Sequence, residues 1–293
     1  MRDVYQIVND RIIAELEKGI VPWKQSWKGT GIPRNLVTKR PYHGINLWLL
    51  LSLQYDNNYF LSYDQATALG GKVKKGEKAC PVVFWKRFEK EDEATKEIKY
   101  SYMLRYYNVF NISQCELPEK ILEGAGIEES EDEPIHICEH IVENMPSKPT
   151  IQHKGDMPYY VPKDDLIVMP KVKSFSGSEA YFNTLFHELV HSTGHQSRLN
   201  RKELVENNAY GSDPYAQEEL VAEMGACYLN MVAGILTPPL LTNNAAYLQS
   251  WIAKLKGDKR LILYASAAAQ KAADYILNII QEQAPEQHDT VGD

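Results

Sequence analysis

Cysteine is scarce in this sequence of 293 residues, and the few cysteines stand far apart. Cys80, Cys115, Cys138 and Cys227 form no C-x-x-C pair. Such spacing argues against a disulfide framework and against a zinc site built from cysteine thiolates. We therefore expect reduced thiols and a cytoplasmic protein.

Long hydrophobic runs are missing as well. The apolar stretch 48–53 is far too short to cross a bilayer, which takes about 20 apolar residues. Residues 1–4 do not begin a signal-peptide pattern. We therefore expect no membrane segment. The residues present, 44% hydrophobic and 24% charged, are typical of a folded globular protein with one large domain or two ordinary ones.

The stretch with the clearest chemistry is HELVH, from His187 to His191. Its apolar neighbours, with no Gly or Pro before Gly194, predict a buried helix. Residues four apart stand on the same face of a helix, so His187 and His191 can offer two imidazole nitrogens to one Zn²⁺. Glu188 can serve as general base toward a water on the metal, as in H-E-x-x-H metallopeptidases.

A third protein ligand has two candidates. His195 follows the motif, but the extended pattern H-E-x-x-H-x-x-G-x-x-H has its last histidine where this chain has Ser197. The better candidate is a second predicted helix, on which Glu219 and Glu223 are four apart. We assign Glu219 as the metal ligand and Glu223 as the carboxylate that holds a ligand histidine through its free ring N–H. We expect Glu218 to face another direction.

Charge is divided unevenly along the chain, whose net charge is −7. Residues 1–122 contain 19 Lys and Arg against 14 Asp and Glu, a net charge of +5, whereas residues 123–293 contain 13 against 25, a net charge of −12. These opposite signs indicate different partners for the two halves. The segment 123–134 is rich in Gly, Glu and Asp and predicts a linker, and we expect the tail 284–293 to be disordered.

The basic half interleaves cations with aromatic residues. Trp27 and Tyr42 are candidate stacking groups for nucleic-acid bases, whereas Trp23 is expected to pack in a core. The aromatic strand predicted at 99–110 suits either a single-stranded nucleic-acid platform or ordinary strand packing. The candidate phosphate contacts are the loop cations Lys39, Arg40, Lys72, Lys74, Lys75 and Lys78.

Two further patterns lie in the acidic half. His136, Cys138 and His140 are close together on a predicted helix, where we favour exposed polar residues over a second metal cluster. The predicted strand 166–169 is expected to run along the motif helix, where an extended peptide can pair with its backbone.

The residues also carry a family resemblance. Over nearly its whole length the chain resembles the ArdC-type antirestriction proteins of plasmids, phages and other mobile elements. The matching blocks, specific in their order and combination, are VPW (21–23), PRN (33–35), YHGIN (42–46), QA (65–66), GGKV (70–73), KGEK (75–78), VFN (109–111), HELVH (187–191), TGH (193–195) and YAQEELVAE (215–223).

This resemblance implies a protein that accompanies DNA into a new host and counters restriction. Together with the patterns above it predicts an α+β fold. A small mixed α/β domain, 1–122, would bind single-stranded DNA, and the acidic linker 123–134 would follow. A mainly helical zincin-like metallopeptidase domain, 135–293, would carry a short edge sheet. The Glu219-x-x-x-Glu223 pattern resembles the E-x-x-x-D of other zincins, with Glu in place of the final Asp.

The site expected from these residues is a peptidase centre. His187, His191 and Glu219 would bind Zn²⁺. Glu188 would act as general base on an unidentified protein or peptide substrate, and Tyr210 or Tyr215 would stabilise the oxyanion. The alternative is a DNA-binding protector whose metal domain is structural or idle. A metal nuclease is disfavoured, because nucleases typically gather carboxylates around Mg²⁺.

Overall fold

The structure is a computed structural model that describes residues 3–23, 31–91, 98–123, 133–202, 213–235 and 245–279. The chain divides into two compact units, each built from two stretches. Unit 1 comprises Met1–Glu131 and Asn230–Ala267, and unit 2 comprises Asp132–Leu229 and Ala268–Asp293. The domain boundaries expected from the sequence, 1–122 and 135–293, remain predictions.

Helices and short sheets alternate along the described residues, and the predicted α+β class is confirmed. The helices are α1 Val4–Glu17, α2 Ile45–Leu51, α3 Tyr63–Ala68, α4 Glu119–Glu123, α5 Pro134–Asn144, α6 Ser178–Thr193, α7 Asp213–Ala233, α8 Ala245–Gly257 and α9 Leu261–Ile276. The strands are β1 Arg34–Asn35, β2 Tyr59–Ser62, β3 Lys72–Val73, β4 Cys80–Glu91, β5 Ile98–Asn111, β6 Cys115–Glu116, β7 Thr150–His153, β8 Tyr159–Val161 and β9 Leu166–Met169.

In unit 1, helix α1 packs against helix α8, far away in sequence. Asp3 caps α1, because its side chain accepts the backbone N–H of Tyr5. The buried amide of Asn9 donates to the carbonyl of Leu255 at 2.7 Å. Trp23 is 1% exposed and meets Trp251 edge to face, so its predicted place in a core is confirmed.

The larger sheet of unit 1 has the strand order β1-β2-β5-β4. Strands β4 and β5 form a long antiparallel hairpin, in which Cys80 pairs with Val109 at the base. Strand β2 pairs with β5 only over 60–62 and 109–111. The rest of the hairpin therefore continues as two strands alone, and we call residues 83–91 and 98–106 the ribbon.

A separate two-stranded sheet carries the lysine-rich turn of unit 1. Strand β3 pairs with β6, and the chain approaches so closely there that a Cβ on Gly71 would lie 2.5 Å from the carbonyl oxygen of Glu116. Only glycine fits without a shift of backbone. The turn 74–78 follows β3 directly and leads into β4.

Unit 2 contains a three-stranded sheet in the order β7-β9-β8. Strand β9 is parallel to β7 and antiparallel to β8, so it is paired on both sides. This corrects the expectation that 166–169 would offer its backbone to a peptide. Within the described residues, the strand with an open edge near helix α6 is β8.

In the part of the chain that the structure describes, every helix is too short or too polar to cross a membrane. The four cysteines are buried free thiols, and none pairs with another.

Candidate metal centre

Helix α6 places the HELVH motif because one side of the helix is built into the core of unit 2. Leu185, Phe186, Leu189 and Val190 are each 2% exposed or less. The carbonyls that the end of the helix leaves unpaired are satisfied by arginine. Arg201 donates to the carbonyl of Val190 at 2.8 Å.

The two histidines of the motif and Glu219 of helix α7 come together. His187 Nε2 and His191 Nε2 are 3.1 Å apart. The two carboxylate oxygens of Glu219 lie 3.4 Å from His187 Nε2 and 3.5 Å from His191 Nε2. Among the described residues, this is the one group of His, Cys, Asp and Glu side chains whose ligand atoms converge as a metal site requires.

These separations fit a divalent ion. Ligand bonds of about 2.0–2.1 Å in a tetrahedral arrangement put neighbouring ligand atoms roughly 3.3 Å apart. The three observed separations, 3.1, 3.4 and 3.5 Å, fall around that value. Two imidazoles and a carboxylate also form the donor set of catalytic zinc sites with an open position. The three side chains that the sequence predicted as ligands are therefore placed as the ligands of one divalent metal ion would be.

Glu219 is held in its charged form. Burial alone would raise its pKa, but a hydrogen bond with His187, the nearby histidine charges and a hydrogen bond from Tyr215 lower the pKa to about 2. A carboxylate must be ionised to bind a cation. The site therefore has its anionic ligand ready over the whole neutral range.

Glu218 lies against the second histidine, contrary to our expectation that it would face another direction. Its Oε1 is 3.3 Å from His191 Nδ1, so the Nδ1–H can donate to it and leave the Nε2 lone pair toward the ligand group. Arg201 in turn donates to the carboxylate through Nε at 2.9 Å. Burial raises the pKa of Glu218, but the bond from Arg201 and that from His191 outweigh burial and keep the pKa below its usual value. The supporting role of Glu223, half-buried one turn beyond Glu219, remains a prediction.

Glu188 points toward strand β8. It is 6% exposed and accepts a hydrogen bond from the backbone N–H of Tyr160. Burial raises the pKa of Glu188 above its ordinary value, although the histidines and the Tyr160 N–H act in the opposite sense. A raised pKa moves a carboxyl group toward the working range of a general base.

Of the two tyrosines expected as oxyanion donors, the structure describes Tyr215. Tyr215 is hydrogen-bonded to Glu219, which brings its hydroxyl to the ligand group. Tyr210 lies outside the described residues.

The other metal candidates lie apart from this group. His195 is half-buried, and its Nδ1 is 2.7 Å from Ser197 Oγ. On helix α5, His136 and His140 are exposed while Cys138 is fully buried. His136 and His140 thus lie on the surface as expected, whereas Cys138 belongs to the core, and the preference over a second metal cluster stays a prediction.

In unit 1, the six candidate phosphate contacts all lie on the surface. Lys72 pairs with Glu116 at 2.9 Å, and the Lys74 ammonium donates to the carbonyl of Ser113 at 2.8 Å. The other four, also exposed, are Lys39, Arg40, Lys75 and Lys78.

The two candidate stacking rings for nucleic-acid bases are Tyr42 and Trp27. Tyr42 is 7% exposed, packs edge-on against Phe60 and accepts a hydrogen bond from Asn35. This burial leaves Tyr42 to the core rather than to a nucleic acid, which corrects the stacking role expected of it. Trp27 lies outside the described residues.

Comparison with known proteins identifies two family regions. Residues 2–110 match the model of the N-terminal domain of the anti-restriction factor ArdC. Residues 138–269 match the model of a zincin-like metallopeptidase. The two regions follow each other along the chain in the order expected from the sequence.

Similar solved structures cover nearly the whole chain. The chain is similar to the metal-free antirestriction ArdC protein of plasmid R388, with 38% identity, a TM-score of 0.74, and coverage of 94% of this chain and 97% of that one. It is also similar to the Mn(II)-bound structure of ArdC from R388, with 36% identity, a TM-score of 0.73, and coverage of 94% and 98%.

A curated relative is much longer. The chain is 33% identical over 308 residues to the DNA primase TraC of Escherichia coli, an alignment that covers 96% of this chain. The chain spans 20% of the length of that relative.

Proposed function

Since the chain belongs to the ArdC family of antirestriction proteins, we propose that it is a metal-dependent peptidase that also binds single-stranded DNA. The observation that carries the peptidase half is the convergence of His187, His191 and Glu219 beside the buried carboxylate of Glu188. The ArdC N-terminal domain and the exposed cations of unit 1 support the DNA-binding half.

The three ligands would hold one divalent ion, which we propose to be Zn²⁺. When bound, such an ion supplies Lewis-acid polarisation and makes a nucleophile available at neutral pH. Glu188 takes the proton of the attacking water on its carboxylate and then delivers it to the leaving amine. The pKa of Glu188, raised by burial, suits both steps.

The peptide would lie along strand β8. The backbone of β8 faces Glu188, because the N–H of Tyr160 donates to that carboxylate. An extended peptide that adds to this edge would have its carbonyls beside the ligand group. Tyr215, whose hydroxyl already reaches Glu219, would donate to the developing oxyanion.

The DNA-binding half would act through phosphate contacts. The six exposed cations of unit 1 lie on the loop 39–40, on strand β3 and on the turn after β3, where they can follow a flexible backbone without reading its bases. Single-stranded DNA entering a new host would be the physiological ligand. The protein would then bind the DNA at one unit and cleave a protein at the other.

Glu188→Gln tests the peptidase half. The change keeps the shape of the side chain and removes its basicity, so hydrolysis of a fluorogenic casein should fall about 100- to 10,000-fold. Metal content, measured by inductively coupled plasma mass spectrometry after supply of zinc or manganese, should stay at that of the wild type, because Glu188 is not a ligand.

Two further variants act as controls for the site. Glu219→Ala should lose the metal, and Glu223→Ala should largely keep it. A wild-type protein that binds neither ion, or hydrolysis that survives in Glu188→Gln, would exclude the peptidase mechanism. If Glu188→Gln still protects transferred DNA from restriction as well as wild type does, protection depends on DNA binding alone.

A further inference from the structure

The ribbon of unit 1 exposes a strip of aromatic rings. Trp85 and Tyr102 are 57% and 59% exposed, and Tyr100 and Tyr106 are 52% and 45% exposed. These are large side chains, and elsewhere in unit 1 rings such as Phe60 and Trp48 are buried. A contiguous exposed apolar strip on a protein surface commonly marks a binding site.

The strand register places the four rings on one face. In an antiparallel pair, directly opposite residues share a face, and so do alternate residues along each strand. Tyr106 is opposite Val83, Trp85 is opposite Leu104, and Tyr102 is opposite Arg87. Tyr100, two residues before Tyr102, continues the row. Along β5, Tyr100 and Tyr102 are therefore separated by roughly 6.6 Å and Tyr102 and Tyr106 by roughly 13 Å, which leaves room for a flat group to stack on each ring.

The two faces of the hairpin differ in what they bury. At the base of the hairpin, Cys80, Val82 and Val109 belong to the other face and are buried. The face with the rings also contains two buried side chains, Val83 and Leu104, but the four rings themselves stay exposed on it.

Charge on the ribbon favours an anionic ligand. Among the side chains of strands β4 and β5 that the structure describes, Lys86, Arg87 and Arg105 are cationic and Glu89 is anionic. Arg87 lies within the aromatic row, and its guanidinium is 4.9 Å from the ring centre of Tyr100. It also pairs with Glu89 at 3.0 Å across two exposed side chains, an ion pair that a phosphate can replace at little cost.

A ligand that suits both the exposed rings and the cations of the ribbon must have flat apolar faces and regularly spaced negative charges. Unpaired bases stack on aromatic rings irrespective of sequence, and the phosphates of the same strand meet the arginine. A duplex hides its base faces, so it would leave the rings unused.

We propose that the ribbon is the stacking surface for single-stranded DNA, with Trp85 and Tyr102 as its central rings and Tyr100 and Tyr106 as their neighbours. The inference rests on the proposed DNA binding and goes beyond it, because the lysine turn explains phosphate contacts but provides no base contact. The aromatic rings and the lysines then perform separable tasks.

Trp85→Ala and Tyr102→Ala test this division in the full chain. Fluorescence anisotropy with a labelled oligothymidylate should show affinity about 5- to 100-fold weaker for each variant. The slope of log affinity against log salt concentration should be unchanged, because no phosphate contact is removed. Trp85→Phe and Tyr102→Phe keep a ring and should bind nearly as wild type.

Tyr63→Ala is the matched control, since Tyr63 is 58% exposed on helix α3 of the same unit and away from the ribbon. Its affinity should equal that of wild type. If wild type binds the oligonucleotide and the ribbon variants bind it as tightly as Tyr63→Ala does, the ribbon proposal is overturned while the DNA-binding function stands. A wild type that does not bind overturns both. If light scattering finds wild type dimeric and the ribbon variants monomeric with unaltered DNA affinity, the strip is a self-association surface and the proposal fails.

Discussion

Glu218 supports a metal ligand without being one. It connects the ring of His191 to the guanidinium of Arg201, and both Glu218 and Arg201 are buried. A carboxylate that accepts a hydrogen bond from Nδ1–H fixes the tautomer of a histidine and makes its other nitrogen more basic. The charge of Arg201 keeps that carboxylate ionised in a place where burial opposes ionisation.

Glu218→Gln removes this charge and should weaken the site. We expect metal affinity about 10- to 100-fold lower, since partners of ligand histidines contribute at this level. Arg201 would be left without its counter-charge, so the free energy of unfolding should also fall, by on the order of 3 kcal/mol. Competition with a chromogenic chelator measures the first quantity and urea unfolding of the metal-free protein the second.

Glu143→Gln serves as the control, because Glu143 is an exposed glutamate of the same unit. Its effect on unfolding should stay within about 0.5 kcal/mol. Unchanged metal affinity in Glu218→Gln would show that His191 is held by other contacts.

At the scale of the element, the site depends on how closely helices α6 and α7 approach. Gly225 of α7 faces Val190 of α6, and a Cβ added to Gly225 would lie 2.7 Å from Val190 Cγ2. Val190 is fully buried and short, so it cannot move aside. The absence of a side chain at Gly225 thus sets the distance between the helix with two ligands and the helix with the third.

Gly225→Ala should therefore destabilise unit 2, although alanine favours a helix by about 1 kcal/mol over glycine. Overpacking of a core typically costs about 1–3 kcal/mol and shifts backbone. We expect a lower melting temperature together with weaker metal binding, since Glu219 would move with its helix. Thermal unfolding without zinc measures the loss of stability, and the rise in melting temperature on addition of zinc measures metal binding.

The double variant Gly225→Ala/Val190→Ala provides the matched test. Removing the two valine methyl groups makes room for the new one, so metal affinity should return toward that of wild type. If the double variant binds metal no better than Gly225→Ala, the contact between these two residues is not what positions Glu219.

Local elements were well predicted from the sequence, because their signals are local. The capped helix α1, the motif helix α6 and the long strands β4 and β5 follow from residues within each segment. The alignment of His187 with His191 also followed from their four-residue spacing on one helix, and the second predicted helix supplied Glu219 as the candidate that joins them.

What the sequence did not predict depends on how elements pack together. Glu218 and Glu219 point about 100° apart on helix α7, and the rotation of that helix against α6 decides which carboxylate reaches the ligand group and which reaches His191 Nδ1. The open edge of the sheet near helix α6 lies at β8 rather than β9. Local sequence patterns did not predict this, because they do not determine the order of strands in a sheet. The burial of Tyr42 is likewise a tertiary property, set by Phe60.

At the scale of the whole molecule, the N-terminal part of the sequence is basic and the C-terminal part is acidic. The proposed DNA binding by the basic part should therefore depend on salt concentration. Each phosphate contact with single-stranded DNA contributes about 0.7 to the slope of log affinity against log salt. If all six candidate cations engage, the slope should be about −4. Anisotropy titrations over a range of salt concentrations measure it.

Lys75→Ala should reduce the magnitude of that slope by about 0.7, while Lys148→Ala, an exposed lysine of unit 2, should leave it unchanged. A wild-type affinity that does not vary with salt would rule out a phosphate-based mode.

The packing of helix α1 against helix α8 also affects how the protein is made. Asn9 and Leu255, which share a hydrogen bond, are 246 residues apart. At translation rates of about 5–20 residues per second, the nascent α1 waits on the order of ten to fifty seconds for its partner. Unit 2 likewise takes residues from beyond 267. Neither unit can close on the ribosome until both stretches of its chain have emerged, so the apolar stripe of α1 is a natural client for chaperones during that interval.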